Sequence, residues 1–308
     1  MVSLKDDEIL PALQLGRARF LALVEEVRPQ LHRYCARMVG SVALGEDIVQ
    51  DVLAHAYYEL SELKELPAMR SWLFRIAHNR SLDHLRGYER RMSESLDDDF
   101  DLVDDHAPNP EDTLARKEAI GVAIARFVDL PPAQRSCVIL KDVLDHSLDE
   151  IAMLLELSLP SVKADLHRGR EHLHKLFDAP HAVPPRPASP VLARYVALFN
   201  ARNWDGVRAM LADDVRLDLV SRERRSGRQN VSHYFTNYDK VYDWRLAVGW
   251  LDGREVLAVF RNTGDIHLRY FIELTVVNNR IASIHDFRYV SYINQDAMIV
   301  LADNSPTG

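Results

Sequence analysis

Cysteine is scarce in this chain: Cys35 and Cys137 are the only two among 308 residues, and neither stands in a CxxC spacing. That excludes a disulfide framework and a cysteine-based zinc site. Long apolar runs are lacking as well, and none approaches the roughly 18 residues that a bilayer span requires. At the N-terminus Lys5 is followed by Asp6, Asp7 and Glu8, the wrong charge order for a secretory signal. These features lead to the expectation of a cytoplasmic protein. Positive charge is also in deficit, with a net charge of −8, which at first argues against a nucleic-acid binder. The deficit is local. Residues 93–115 hold nine acids (Glu94, Asp97, Asp98, Asp99, Asp101, Asp104, Asp105, Glu111, Asp112) and no Lys or Arg, and the rest of the chain carries +1. DNA binding elsewhere in the chain is therefore compatible with its charge.

What is present is a globular composition, 47% hydrophobic and 27% charged, over a length that suits two or three domains. Phe20, Leu23, Val24, Val27, Leu31, Tyr34, Cys35 and Met38 recur at helical spacing, and Gly40 stops that helix. A second helix is expected over 44–60, on a stripe of Ile48, Val49, Val52, Leu53 and Ala56. A third is expected over 69–86, with Trp72, Leu73, Ile76 and Ala77 inward. The acidic stretch, which contains Pro108-Asn109-Pro110, reads as a mobile linker. Helix returns over 116–128, breaks at Leu130-Pro131-Pro132, and resumes over 133–143. A short helix then opens on the capping-box pattern Ser147-Leu148-Asp149-Glu150 and ends near Leu155. Ser158 suits the N-cap of the next helix, with Pro160 tolerated in its first turn. Short helix, tight turn and longer helix make a helix-turn-helix.

Five prolines between 180 and 190 mark a boundary, an extended segment of up to about 30 Å at about 3.1 Å per residue. Beyond it two helices (191–203, 204–211) precede strand-like segments at 215–220, 245–251, 256–261, 267–277 and 280–290. Leu251-Asp252-Gly253-Arg254 and Val277-Asn278-Asn279-Arg280 are hairpin turns. This third part reads as an α+β domain with a curved antiparallel sheet.

The stretch Gly45-Glu46-Asp47-Ile48-Val49-Gln50-Asp51-Val52, followed by residues 71–86 (SWLFRIAHNRSLDHLR), resembles region 2 of extracytoplasmic-function RNA polymerase sigma factors. Leu130-Pro131-Pro132-Ala133-Gln134-Arg135, followed by 147–170, resembles region 4 of the same family. The two occur in the family's order, joined by an acidic linker, and together cover about half the chain. The last third, with Leu211-Ala212-Asp213-Asp214-Val215 after two helices, is similar to the cone-shaped SnoaL-like domains that some such factors carry. The resemblance implies two all-α domains followed by an α+β cone. Its segments are an N-terminal extension (1–18), region 2 (19–92), acidic linker (93–115), region 4 (116–178), Pro-rich linker (179–190) and SnoaL-like domain (191–308).

The resemblance also implies what the residues do. Core polymerase would be bound through Glu46, Asp47, Gln50 and Asp51, against the reading of a solvated acidic helix start. The melted −10 strand would be held by Asn79 and Asp83 at i and i+4, with Arg80 and Arg86 on its backbone. Trp72 belongs to the same −10 group by resemblance, although its position favours core packing. In the helix-turn-helix, Ser161, Lys163, Ala164, His167 and Arg168 would face the −35 duplex. Glu156, where the family usually has glycine, and Asp165, where a basic or small polar residue is common, depart from the pattern. Asp165 repels phosphate unless it pairs with a base amino group or a neighbouring arginine.

His78, His84, His167, His172 and His174 lie amid these helices with no cysteine or carboxylate to complete a tetrahedral set, so no metal or other cofactor is expected. In the last third, Asp218, His267, His285 and Asp286 are the polar candidates and Trp244, Trp250 and Tyr270 the possible walls. No acid/base pair stands out, so this domain is read as non-catalytic, binding a small ligand or docking back onto the helical half. The competing readings are an ordinary helix-turn-helix regulator and a SnoaL-like enzyme with a DNA-docking module. The region 2 signature counts against both, because neither needs a module that binds core polymerase and captures a strand.

Overall fold

The computed structural model describes residues 6–59, 69–93, 123–178, 186–239, 243–261 and 267–302. Two units, 1–180 and 181–308, each have a core of their own.

In the first unit the first helix begins earlier than its periodicity suggested. α1 spans Asp6–Val39, so residues 6–18, read as an extension, are helical. Gly40 takes a left-handed φ of 70° and ends it. α2 (Val42–Glu59) folds back on α1, and α3 (Met69–Ser93) packs on both. Gly45 lets α1 and α2 approach, since a methyl group there would lie 2.6 Å from the Ala36 Cα. The expected acidic linker lies outside the described residues apart from Ser93, the last residue of α3. A 3₁₀ turn (Ile124–Asp129) leads to α4 (Pro132–Val138), which runs on into a π turn (Ile139–Val143). α5 (Leu148–Leu155) and α6 (Leu159–Asp178) follow.

The two helical segments share one core. Tyr34, Leu73 and Phe74 from α1 and α3 belong to the same buried cluster as Phe127, Cys137, Ile151 and Leu173. Polar groups cross the seam as well. Arg135 of α4, 4% exposed, donates to the carbonyl oxygen of Met38 on α1 and to those of Val128 and Leu130 at 2.9 and 2.7 Å. The Tyr34 hydroxyl shares a 2.7 Å hydrogen bond with His78 Nδ1 and donates to Ser136 Oγ at 3.2 Å. Burial of His78, and secondarily the charge of Arg86, push its pKa down to about 4.

In the second unit α7 (Pro190–Asn200) and α8 (Trp204–Ala209) precede β1 (Leu211–Leu219), β2 (Glu223–Ser226) and α9 (Arg228–Asp239). The chain continues as β3 (Trp244–Leu251), β4 (Arg254–Arg261), β5 (Tyr270–Val277), β6 (Arg280–Asp286), a 3₁₀ turn (Ser291–Gln295) and β7 (Val300–Leu301). The strand order is β2-β1-β6-β5-β4-β3-β7. The sheet is mixed where an antiparallel one was expected, because β1 pairs with β6 in parallel, with Leu217 opposite Ile284 and Leu219 opposite Asp286. Both hairpin turns form, with φ of 51° and 79° at Asp252 and Gly253 and of 50° and 59° at Asn278 and Asn279. Leu217, Leu257, Val259 and Ile284 of the sheet join Tyr195, Phe199, Trp204 and Phe235 of the helices in one core.

Candidate polymerase and nucleic-acid interface

The helix-turn-helix is built by caps at both of its starts. Ser147 Oγ accepts from the Glu150 backbone N–H at 3.2 Å, and Glu150 accepts from the Ser147 N–H at 2.7 Å, closing the capping box that begins α5. That backbone hydrogen bond holds the exposed Glu150 carboxyl below its ordinary range. α5 ends on Glu156, which adopts the left-handed conformation (φ 57°, ψ 37°) where glycine is favoured. Its carboxylate lies 3.6 Å from Arg75 of α3, an exposed pair across the seam. Ser158 then caps α6, accepting from the Ser161 N–H at 3.2 Å.

α6 buries Val162, Leu166, Gly169 and Leu173. A methyl group on Gly169 would lie 2.6 Å from Val138, so glycine sets how closely α6 meets α4. Arg170 fastens the same flank through two hydrogen bonds of 3.0 and 2.6 Å to Asp142, whose side chain is 2% exposed. On the outward side Ser161 and Lys163 are exposed, and Ala164, His167 and Arg168 half-buried. Ser161 Oγ lies 2.7 Å from Ser158 Oγ, and His167 Nε2 3.9 Å from Glu171. Arg168 donates to Asp165 at 2.9 Å, so the acid that departs from the family pattern has a neighbouring arginine as partner.

On α3, Asn79, Arg80, Asp83 and Arg86 lie along one exposed strip, with Arg86 3.7 Å from Asp83. Trp72 departs from this group. It is 7% exposed and sits in the core with Leu73 and Phe74, two turns before Asn79, so its ring offers no open wall for a base. Positions 72, 79 and 83 share one helix face, but that face is covered at 72 and open at 79 and 83, and hydrophobic burial decides the outcome. On α2, Asp51 is exposed and Asp47 and Gln50 are half-buried. Glu46 is a second correction. Its side chain is fully buried and paired with Arg28 of α1, so its carboxylate ties two helices together and is not available to an incoming partner.

Among the described residues, no group of three His, Cys, Asp or Glu side chains could hold a metal ion. His172 bonds Gln134 at 2.9 Å. In the second unit Asp218 and His285 lie 3.7 Å apart on neighbouring strands, with Arg224 donating to Asp218 at 2.7 Å. His267 is exposed. Asp286 faces the other way, into the core, where it accepts from the Tyr234 hydroxyl at 2.6 Å. Tyr234, Tyr238 and Tyr270 continue the chain of hydroxyls at 3.0 and 2.9 Å. Burial pushes the Asp286 carboxyl up and all three phenols up. Sequence reasoning missed Tyr234 and Tyr238. Their i, i+4 spacing with Val231 was the available signal, but the polar segment around them hid α9.

Comparison with known proteins follows the same division. Residues 23–91 match the family Sigma-70 region 2, residues 127–173 match Sigma-70, region 4, and residues 192–288 match the SnoaL-like domain. The ECF RNA polymerase sigma factor SigW of Bacillus subtilis is 30% identical over 164 residues, covering 51% of this chain and 87% of its own length. SigG of Mycobacterium tuberculosis, also an ECF sigma factor, is 27% identical over 301 residues, 88% of this chain and 81% of that one. The crystal structure of the extracytoplasmic function sigma factor SigJ of Mycobacterium tuberculosis shares 21% identity, with a TM-score of 0.34 over 86% of this chain and 95% of that one. The chain belongs to the ECF RNA polymerase sigma factors, with a SnoaL-like domain after region 4. Among the described residues no helix is long and apolar enough to cross a membrane.

Proposed function

We propose that this sigma factor acts in the cytoplasm, binding core polymerase through Asp47, Gln50 and Asp51 of α2. Asn79, Arg80, Asp83 and Arg86 of α3 take the melted −10 strand, and Ser161, Lys163, Ala164, His167 and Arg168 of α6 take the −35 duplex. The single core shared by the two helical segments carries the reading of how it is controlled. Elements named for positions 25 base pairs apart lie about 85 Å apart at about 3.4 Å per step. A compact unit of this size is roughly 40 Å across. Regions 2 and 4 therefore separate before both elements are held, and the arrangement around Arg135 and Ser136 is the closed, promoter-incompetent state.

The SnoaL-like domain modulates that separation and performs no catalysis. From position 191 onward it carries 15 Lys or Arg against 14 Asp or Glu, too balanced for a DNA binder by charge. Among the described residues its one buried acid, Asp286, is enclosed by tyrosines in the core. The test is run-off transcription with purified core polymerase, comparing the full chain with residues 1–178. A changed yield with purified components supports modulation, and identical transcription by the two proteins refutes it.

A further inference from the structure

Asp165 stands on the recognition helix where an acid is out of place, and the structure gives it a task. Its side chain is 15% exposed, on the flank of α6 that turns toward α4, and it accepts a 2.9 Å hydrogen bond from Arg168 one turn on. The closeness to α4 shows in Cys137, whose thiol is pushed up to about 12 by burial and then by the Asp165 charge. An arginine on a helix surface has several rotatable bonds. A carboxylate that holds one nitrogen from the core side narrows the plane and the direction open to the guanidinium. Bidentate contact with guanine O6 and N7 depends on both. Surface i, i+3 pairs usually contribute little to stability, so a stability role alone accounts poorly for an acid kept beside phosphates.

We propose that Asp165 is a positioning residue for −35 recognition: it holds Arg168 in the geometry that reads a guanine and so sets base preference at one position, while its charge lowers affinity for all duplexes alike. The inference rests on α6 being the −35 helix. It separates two properties that a simple contact would change together.

The experiment loads the full chain onto its host's core polymerase and selects bound duplexes from a pool randomised over the upstream element. The wild type, Arg168→Ala, Asp165→Ala, Asp165→Asn and Lys163→Ala are compared, with thermal melting of each variant to verify folding. Expected is a guanine preference at one position that Arg168→Ala abolishes and Asp165→Ala reduces about 5- to 150-fold, the discrimination of a bidentate contact. Asp165→Asn keeps an acceptor for the guanidinium, so it keeps the preference while binding all sequences more tightly. Lys163→Ala weakens binding uniformly. If Arg168→Ala abolishes the preference and Asp165→Ala retains it, the clamp is refuted and α6 remains the reader. If the wild type selects no upstream element, or Arg168→Ala changes no position, the reading on which the clamp rests has failed.

Discussion

Replacing Arg135 by Met removes a buried guanidinium that hydrogen-bonds across the seam between the two helical segments while keeping an apolar stem in its place. Arg135 is 4% exposed and donates to three carbonyl oxygens. Those of Val128 and Leu130 belong to its own segment, and only that of Met38 lies across the seam. A hydrogen bond from a charged group contributes about 1.5–3 kcal/mol net. The seam's share of the loss is therefore one such bond, a shift of about 12- to 150-fold in the ratio of open to closed chains. The other two bonds are lost within the segment and lower its melting temperature without opening the seam. The assay is a distance measurement between labels on cysteines introduced at Leu21 and Met153, which are 56% and 63% exposed. The native Cys35 and Cys137 are 0% exposed and do not compete for label. Arg135→Met should populate longer distances by about that factor. A lowered melting temperature with an unchanged distance distribution would show that Arg135 only braces its own segment, and the seam argument would fall.

The seam also predicts a pH response. His78 has its pKa lowered to about 4 in the closed state and returns toward 6.5 on exposure, so the closed state binds the proton less well. Its contribution is complete above 6.5 and is lost as pH falls toward 4, at up to about 1.4 kcal/mol per pH unit. Long distances between the same labels should increase from pH 7.5 to pH 5, and an identical response in His78→Gln would assign the effect elsewhere. Glu46→Ala breaks a buried ion pair and should cost about 3–5 kcal/mol in denaturant unfolding. Asp51→Lys, on an exposed position, should leave stability within about 0.5 kcal/mol and weaken a core-polymerase pull-down. Equal stability losses from the two would contradict their different burial. Asn79→Ala should lower permanganate reactivity at the −10 region while closed-complex formation persists, and parallel loss of both would indicate misfolding.

Much of the architecture was legible because it rests on local chemistry. The capping box at Ser147, the cap at Ser158 and the two hairpin turns are set by residues within four positions of one another, and all four form. The parallel pairing of β1 with β6 joins segments some 70 residues apart, and no local pattern encodes it. At the site Glu46 shows the same limit and Trp72 does not. Helical periodicity had already placed Trp72 inward. A carboxylate in a family motif, however, looks like a surface group until Arg28, 18 positions away, is found beside it. The pairing of Asp165 with Arg168 could be anticipated from i, i+3 spacing, whereas the seam through Tyr34, His78 and Ser136 depends on the fold as a whole.

Run-off transcription on host genomic fragments, with purified core polymerase and the full chain, tests the central claim most directly. The account predicts discrete transcripts that need this chain, each start preceded by common upstream and −10 elements, and lost in a variant with Asn79 and Arg168 both replaced by alanine. Transcripts identical with and without the chain, or retained at full yield by that variant, would contradict it.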